Sequence, residues 1–450
     1  MFKDTIVYHV ETYLLEPSLS AYTQHMNTSQ PLVFDPYDFS QKEISGVPVY
    51  YKNLPWAPCV HIYISFNTGA FADPVGKEGL SHFLEHMLFD GSPSFTDRKA
   101  VNEWRKNETL DTWNAYTSHY NTAYHLKCLP EKLTPVLEKM TEQIFYPLLR
   151  DEDTEHERKV ITQEAWGYFQ NEKLLSYIRE FTKKVFPGHS LSRVSSALGW
   201  PETIATLSTD DIRMWHKTHY HTGNMRIIIV GNINESSLQS LANILSTIPH
   251  GAHHPREYEK TPLPAITEIT KTADEIGLVK EQVEINISLH KDISHNPRDH
   301  EHVFRRVLQD ILHEKLRDEQ ALCYGVHVSS RRGAHYVNFS VDIKTSEEHK
   351  TLVLQTINEH ITLLTQSDIY KDRFEQIRTI SLEQLRANEH DSEDIAHSAT
   401  SEVVRTDGIK KLTDNLHDRE KMTFEDMQTI GLYLTDPAYT VTEIILPSKK

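Results

Sequence analysis

The chain has 450 residues, 38% of them apolar and 25% charged, with a formal net charge of −17. That length supports two domains with cores of their own, and that charge repels a phosphate backbone, so nucleic acid is excluded as a partner. No run approaches the eighteen or so uninterrupted apolar residues of a membrane span, and three dispersed cysteines (Cys59, Cys128, Cys323) give no disulfide framework.

In chain order, residues 1–35 read as an N-terminal extension. They carry acidic residues and lack the basic-then-apolar layout of a targeting segment, so a cytoplasmic location is expected. Residues 36–247 read as a first αβ domain. It has a strand at Val60–Phe66 (VHIYISF), helices at Leu80–Phe89 and Leu133–Phe145, an acidic helix start at Asp151–Glu157, and a buried strand with a glycine turn at Met225–Ile233. Residues 248–264, rich in Pro, His and charge, read as a linker. Residues 265–450 read as a second αβ domain, with a strand at Glu281–His290, helices at about 301–317 and at His349–Leu364, and a closing strand at Tyr439–Pro447. VHIYISF and VEINISL (Val283–Leu289) share a V-x-I-x-I-S pattern, each followed by a helix. The fold class expected is therefore α+β, two domains related by duplication. Many of the 27 histidines fall in polar stretches, IPHGAHHPREYEK and SLHKDISHNPRDHEH, which read as surface loops.

GLSHFLEHMLFDG (Gly79–Gly91) is the stretch with chemistry in it. Its centre has no Pro or Gly, so it should be helical, and positions four apart share a helix face. His82 and His86 would then grip one cation, with Glu85 beside them. This is His-x-x-Glu-His, the inverse of the commoner zinc-peptidase order. Two imidazoles and a carboxylate suit zinc, and a neighbouring glutamate can take the proton of a metal-activated water. A third ligand is needed. Glu157 and Glu164, seven apart and so on one helix face, are candidates, and spacing alone does not choose between them.

With the later Glu157-Arg158-x5-Glu164, GLSHFLEHMLFDGS resembles the pitrilysin family, which includes insulin-degrading enzyme and the mitochondrial processing peptidases. The resemblance implies one zinc ion per chain held by His82, His86 and Glu164. It makes Glu85 the general base that activates a water on the zinc, and Glu157 an acid that orients a ligand. TWNAYTSHYNTAYHL (Thr112–Leu126) is similar to the family's sheet-edge segment, where Asn114 and Ala115 would touch the backbone of an extended peptide. LHEKLRDEQALCYGV (Leu312–Val326) resembles its Arg-x6-Tyr element, so Arg317 and Tyr324 would steady the oxyanion. Two positions depart from that element: Ala321 stands where the family usually has Gly, and Cys323 where it has a small residue. Read without the resemblance, Arg317 is a surface helix residue and Tyr324 a core aromatic.

The resemblance also implies an architecture. Two homologous αβ domains, each a mostly antiparallel sheet packed with helices, form half of a clamshell, and two such halves enclose a chamber. A zinc endopeptidase acting on unfolded peptides follows, as a homodimer in which Arg317 and Tyr324 of one chain complete the metal site of the other. A subunit of a heterodimeric processing peptidase and a non-catalytic scaffold of the same fold are the alternatives.

Overall fold

The computed structural model describes residues 34–252, 259, 262–291, 298–332, 337–387 and 391–449. The expected N-terminal extension lies outside them except for residues 34 and 35, and so does much of the expected linker. Strands β1 (Ser40–Ile44), β2 (Val47–Asn53), β3 (Val60–Phe66), β4 (Asn114–Thr117), β5 (Thr122–Cys128) and β6 (Met225–Gly231) form a first sheet, ordered β1-β2-β6-β3-β5-β4. Strands β7 (Glu268–Thr272), β8 (Val283–Lys291), β9 (Cys323–Arg332), β10 (Val337–Thr345) and β11 (Thr440–Leu446) form a second, ordered β7-β11-β8-β10-β9. Each sheet is antiparallel except for one parallel pair, β2 with β6 and β7 with β11.

The sheets have one topology. The two V-x-I-x-I-S strands, β3 and β8, sit at equivalent places, each between its domain's closing strand and the second strand of an antiparallel pair, β4–β5 or β9–β10. Both are buried because both sheet faces are covered. In β3, Val60, Ile62, Ile64 and Phe66 enter the main core of the first half, whereas Tyr63 faces the other way into a separate cluster. Each fully buried side chain of this size contributes roughly 1.5–3 kcal/mol.

Helices α1 (Leu80–Met87), α2 (Arg98–Glu108), α3 (Leu133–Phe145), α4 (Asp151–Phe169) and α5 (Glu172–Val185) belong to the first half. Leu84, Met87, Val136, Met140, Ile161 and Ala165 place α1, α3 and α4 in its main core. The outer face of each sheet is covered by a helix from the other half. Ile395, Ala396, Ala399 and Val403 of the helix Ser392–Thr406 pack on Tyr50, Tyr63, Ile228 and Val230 of the first sheet. In return, Leu174, Tyr177 and Phe181 of α5 pack with Ala273, Ile276 and Ile445 beside the second.

Two expectations need correction. Helix α1 gives way at Leu88, short of Phe89, and Gly91 makes the following turn at φ 137°. The stretch SLHKDISHNPRDHEH is not simply surface loop: Ser288–Lys291 closes β8, Arg298–His302 opens a helix, and His290 is only 5% exposed. A strand covered on both faces takes that histidine inside. Among the described residues no helix is long and apolar enough to cross a membrane.

Candidate active site and metal centre

Helix α1 packs Leu80, Phe83, Leu84 and Met87 into the core, and its other positions carry His82, Glu85 and His86, so the apolar and chemical stripes are set by one period. The two imidazoles lie edge to face, with centroids 4.7 Å apart. Helix α4 begins with Asp151, Glu152 and Asp153, acids that suit the positive end of a helix dipole, and runs far enough to bring both Glu157 and Glu164 to α1.

The structure separates the two glutamates that spacing could not. Glu164 Oε2 lies 3.8 Å from His82 Nε2 and 3.5 Å from His86 Nε2, and its side chain is 47% exposed. Glu157, wholly buried, sits behind His86: its Oε2 is 3.0 Å from His86 Nδ1. A carboxylate only accepts, so His86 donates from Nδ1 to Glu157, and its Nε2 is turned toward Glu164. The other oxygen of Glu157 pairs with Arg98 of α2 at 2.8 Å, and Arg98 donates to Asp90 at 2.7 Å. The ring of His82 has no such support from behind among the described residues: its buried Nδ1 lacks a hydrogen-bond partner.

These residues fit a metal. The ligand atoms of His82, His86 and Glu164 lie within 4.8 Å of one another, the only such group among the described residues. Tetrahedral zinc with bonds near 2.0–2.2 Å needs ligand atoms about 3.3 Å apart, a small closure from the observed spacing. In the metal-free protein, burial and the neighbouring His86 charge lower the pKa of His82. Burial also opposes charge on His86, but hydrogen bonds to Glu157 and Glu164 outweigh it and raise His86 to about 9. Contact with His86 holds Glu164 below the ordinary carboxylate range, against burial.

Glu85 is 7% exposed, and burial pushes it up to about 7 against a hydrogen bond from Thr117. Thr117 Oγ1 donates to Glu85 Oε2 at 2.6 Å. Thr117, like Arg98 and Asp90, was missed in the sequence. Strand alternation could have flagged it, because it stands two positions after Ala115 and so faces the same side. Both lie on β4, the edge strand of the sheet; Asn114 is exposed and faces the other side.

Arg317 and Tyr324 meet each other, with the guanidinium 5.4 Å from the ring centroid. Arg317 ends the helix in a π turn at Glu314–Glu319 and bonds His313 at 2.9 Å. Tyr324 is 88% exposed, which overturns its reading as a core aromatic. It opens β9, at the rim of a groove of about 620 Å³ that also takes in Asp342 and Glu443. Ala321, at the glycine position of the resembling element, adopts φ 51°, so the turn keeps a left-handed backbone without the glycine. No described hydrogen bond, ion pair or ring contact joins Arg317 or Tyr324 to the metal-site residues.

Both halves of the chain match known family models. Residues 48–192 match the model of the insulinase peptidase family M16, and residues 206–381 match that of the M16 inactive domain. An uncharacterized zinc protease from Rickettsia felis is 27% identical over 208 residues, 46% of this chain and 49% of its own length. The beta subunit of the mitochondrial-processing peptidase from Caenorhabditis elegans is 31% identical over 193 residues, 42% of this chain and 41% of its own. The matched region thus spans about half or less of these relatives. In fold, 93% of the chain superposes on 48% of the periplasmic protease PqqL from Escherichia coli, with TM-score 0.76 and 16% identity. Pitrilysin gives TM-score 0.72 and 17% identity, over 94% of this chain and 46% of that one. With its first half matching the peptidase model and its second the inactive-domain model, and with two sheets of one topology behind them, the chain belongs to peptidase family M16.

Proposed function

We propose that the chain is a zinc-dependent endopeptidase for unfolded peptides. The observation that carries this reading is the convergence of His82, His86 and Glu164 on one point, with Glu85 held beside them by Thr117. His82, His86 and Glu164 would hold one zinc ion per chain, which would supply Lewis acidity there. Glu85 accepts the proton of the attacking water while Thr117 fixes its Oε2, and it passes that proton to the leaving amine. A group poised near neutrality suits both transfers. The peptide lies along the β4 edge at Asn114 and Ala115, adding a strand to the sheet. Glu157 keeps His86 turned toward the metal.

Arg317 and Tyr324 belong to the half without the metal ligands, and the exposure of Tyr324 leaves its hydroxyl free to serve another surface. Two chains, each half of a clamshell, would enclose a chamber in which one chain's pair steadies the oxyanion at the other's metal. A homodimer is the first reading. The similarity to a processing-peptidase beta subunit supports a second, in which a different chain completes the site.

The test is cleavage of a quenched peptide with and without chelator, beside Glu85→Gln, with metal content read on the same samples. Activity lost to chelator, and lost by at least about 100-fold in a Glu85→Gln chain that keeps its metal, supports the reading. Recovery of activity on mixing Arg317→Ala with Glu85→Gln chains supports the homodimer. A wild-type chain that holds metal and cleaves nothing alone favours the partner-chain reading or a scaffold.

A further inference from the structure

Helix α1 starts at a residue that cannot cap it. Gly79 stands at φ 98°, ψ 1°, and has no side chain to accept from the free N–H groups of the first turn. Asp73, six positions upstream, takes that part. Its Oδ2 accepts from Gly79 N at 2.8 Å, and its Oδ1 accepts from Ser81 N at 2.9 Å and from Ser81 Oγ at 2.6 Å. Asp73 is 2% exposed, and a carboxylate so buried persists only where its lone pairs are used.

The same loop is held from behind. Glu78, also buried, pairs with Arg193 at 3.1 Å and accepts from Gly76 N at 3.1 Å, and its backbone carbonyl accepts from Thr203 Oγ1 at 2.6 Å. A Cβ on Gly79 would meet Leu198 O at 2.7 Å, and one on Gly199 would meet Glu78 O at 2.2 Å, so the backbones cross with no room for side chains. Two buried acids and a glycine crossing thus fix the start of a helix only eight residues long. A helix so short has little stability of its own, so its direction is set by what grips its ends. His82 follows Ser81 directly, and Glu85 and His86 lie one turn on.

We propose that Asp73 is a positioning residue of the metal centre, an off-helix cap that sets the direction of α1 and so the approach of His82 and His86 to Glu164. This rests on the reading of those three residues as metal ligands. A cap that served folding alone would change stability and leave the bound metal's geometry intact. A positioning residue changes both.

Cobalt(II) reports the difference, since its visible d–d absorption follows coordination geometry. Full-length wild type, Asp73→Asn, Asp73→Ala, Ser81→Ala and Asp391→Ala would be titrated with cobalt(II), with thermal midpoints recorded on the same samples. Asn offers one acceptor oxygen where two are used, so Gly79 N or Ser81 loses its partner. Asp391 caps the helix Ser392–Thr406 by accepting from Glu393 N and Asp394 N, both at 2.8 Å, and is an exposed cap that no described hydrogen bond or ion pair joins to α1. The expected result is cobalt affinity lowered by about tenfold or more in Asp73→Asn, with altered absorption. Ser81→Ala, which keeps both backbone bonds, loses less, and Asp391→Ala loses thermal stability with wild-type affinity and spectrum. Should Asp73→Ala fail to fold, Asp73→Asn and Ser81→Ala carry the test. Wild-type affinity and spectrum in Asp73→Asn overturn the role of Asp73 alone. A wild-type chain that takes up no cobalt overturns the metal reading, and this proposal with it.

Discussion

Replacing Glu157 by Gln tests the metal centre where opposing effects can be separated. In the metal-free protein His86 is raised to about 9, so at pH 7 it carries a proton that an incoming ion must displace. Two pKa units at about 1.4 kcal/mol each put that displacement near 2.7 kcal/mol, or about 100-fold in apparent affinity. Glu157→Gln keeps the volume and an acceptor oxygen but removes the buried charge. His86 then falls, although Glu164 and Glu85 still hold it up against burial. That gain is offset by a less basic, less firmly oriented ligand, a loss of about 10- to 100-fold in metal affinity. The two oppose each other, so affinity at one pH decides nothing. The proton count does. At pH 8 Glu85, near 7, is already mostly ionised. Wild type should therefore release more protons per zinc than Glu157→Gln, by up to one. Titration calorimetry in buffers of different ionisation enthalpy measures this directly. Wild-type zinc affinity should also fall about tenfold per pH unit from pH 8 to 6, a slope that is shallower in the variant. Arg98 keeps Asp90 at 2.7 Å, so the variant should fold. Equal proton release from the two proteins would refute the assigned roles of Glu157 and His86. For the metal-free fold, the stability due to the raised His86 is complete below pH 6.5 and fades as pH rises through about 9.

Thr117→Val removes the hydrogen bond that lowers Glu85, so the base ionises later and the acidic limb of kcat/KM should move to higher pH; an unmoved limb would deny Thr117 its role. His290, 5% exposed and bonded to Ser288 Oγ at 2.8 Å, is drawn by burial to about 4. A depressed histidine weakens the fold as pH falls below 6.5, here by up to about 3 kcal/mol at pH 4, and His290→Asn should flatten that part of the urea-midpoint profile. Ala321→Gly should raise the urea midpoint by an amount worth about 1 kcal/mol, since the turn already stands at φ 51°; a lower midpoint would mean the alanine methyl contributes more than its backbone costs.

How far the sequence carried depended on whether an interaction is local. The α1 and α3 helices and the β3 and β8 strands are written in periodicity, and Leu133–Phe145 forms its helix end for end. The bond from His86 to Glu157 joins residues 71 positions apart, and that from Glu85 to Thr117 residues 32 apart. Spacing placed Glu157 and Glu164 on one face of α4 and could say no more, because which one meets the imidazoles depends on how α1 crosses α4. Tyr324 was misread without the resemblance because an aromatic in an apolar run reads as core, whereas here it sits beyond a left-handed turn, at the rim of a groove. Asp73 left no signal in periodicity, since a cap six residues upstream follows no helical or strand repeat.

The half without the metal set is tied to the half with it by more than a linker. Glu164 sits on α4, which ends at Phe169, and Asn171 then caps α5 by accepting from Leu174 N at 2.9 Å. Helix α5 is fastened to the second half: Asn171 donates to Gly277 O at 2.9 Å, Lys173 to Asp274 O at 3.1 Å, and Tyr177 to Glu443 Oε1 at 2.5 Å. Burial and the neighbouring acids Asp342 and Glu284 raise the pKa of Glu443, and the hydrogen bond from Tyr177 opposes that rise by stabilising the carboxylate. In return, the helix Ser392–Thr406 covers the outer face of the sheet whose edge strand holds Thr117 against Glu85. Two contributions to the site from outside α1, the Glu164 carboxylate and the Thr117 hydroxyl, therefore rest on elements braced by the second half. Family M16 can call that half inactive in chemistry, yet it packs against the supports of Glu164 and Thr117, and that requires no metal ligand of its own.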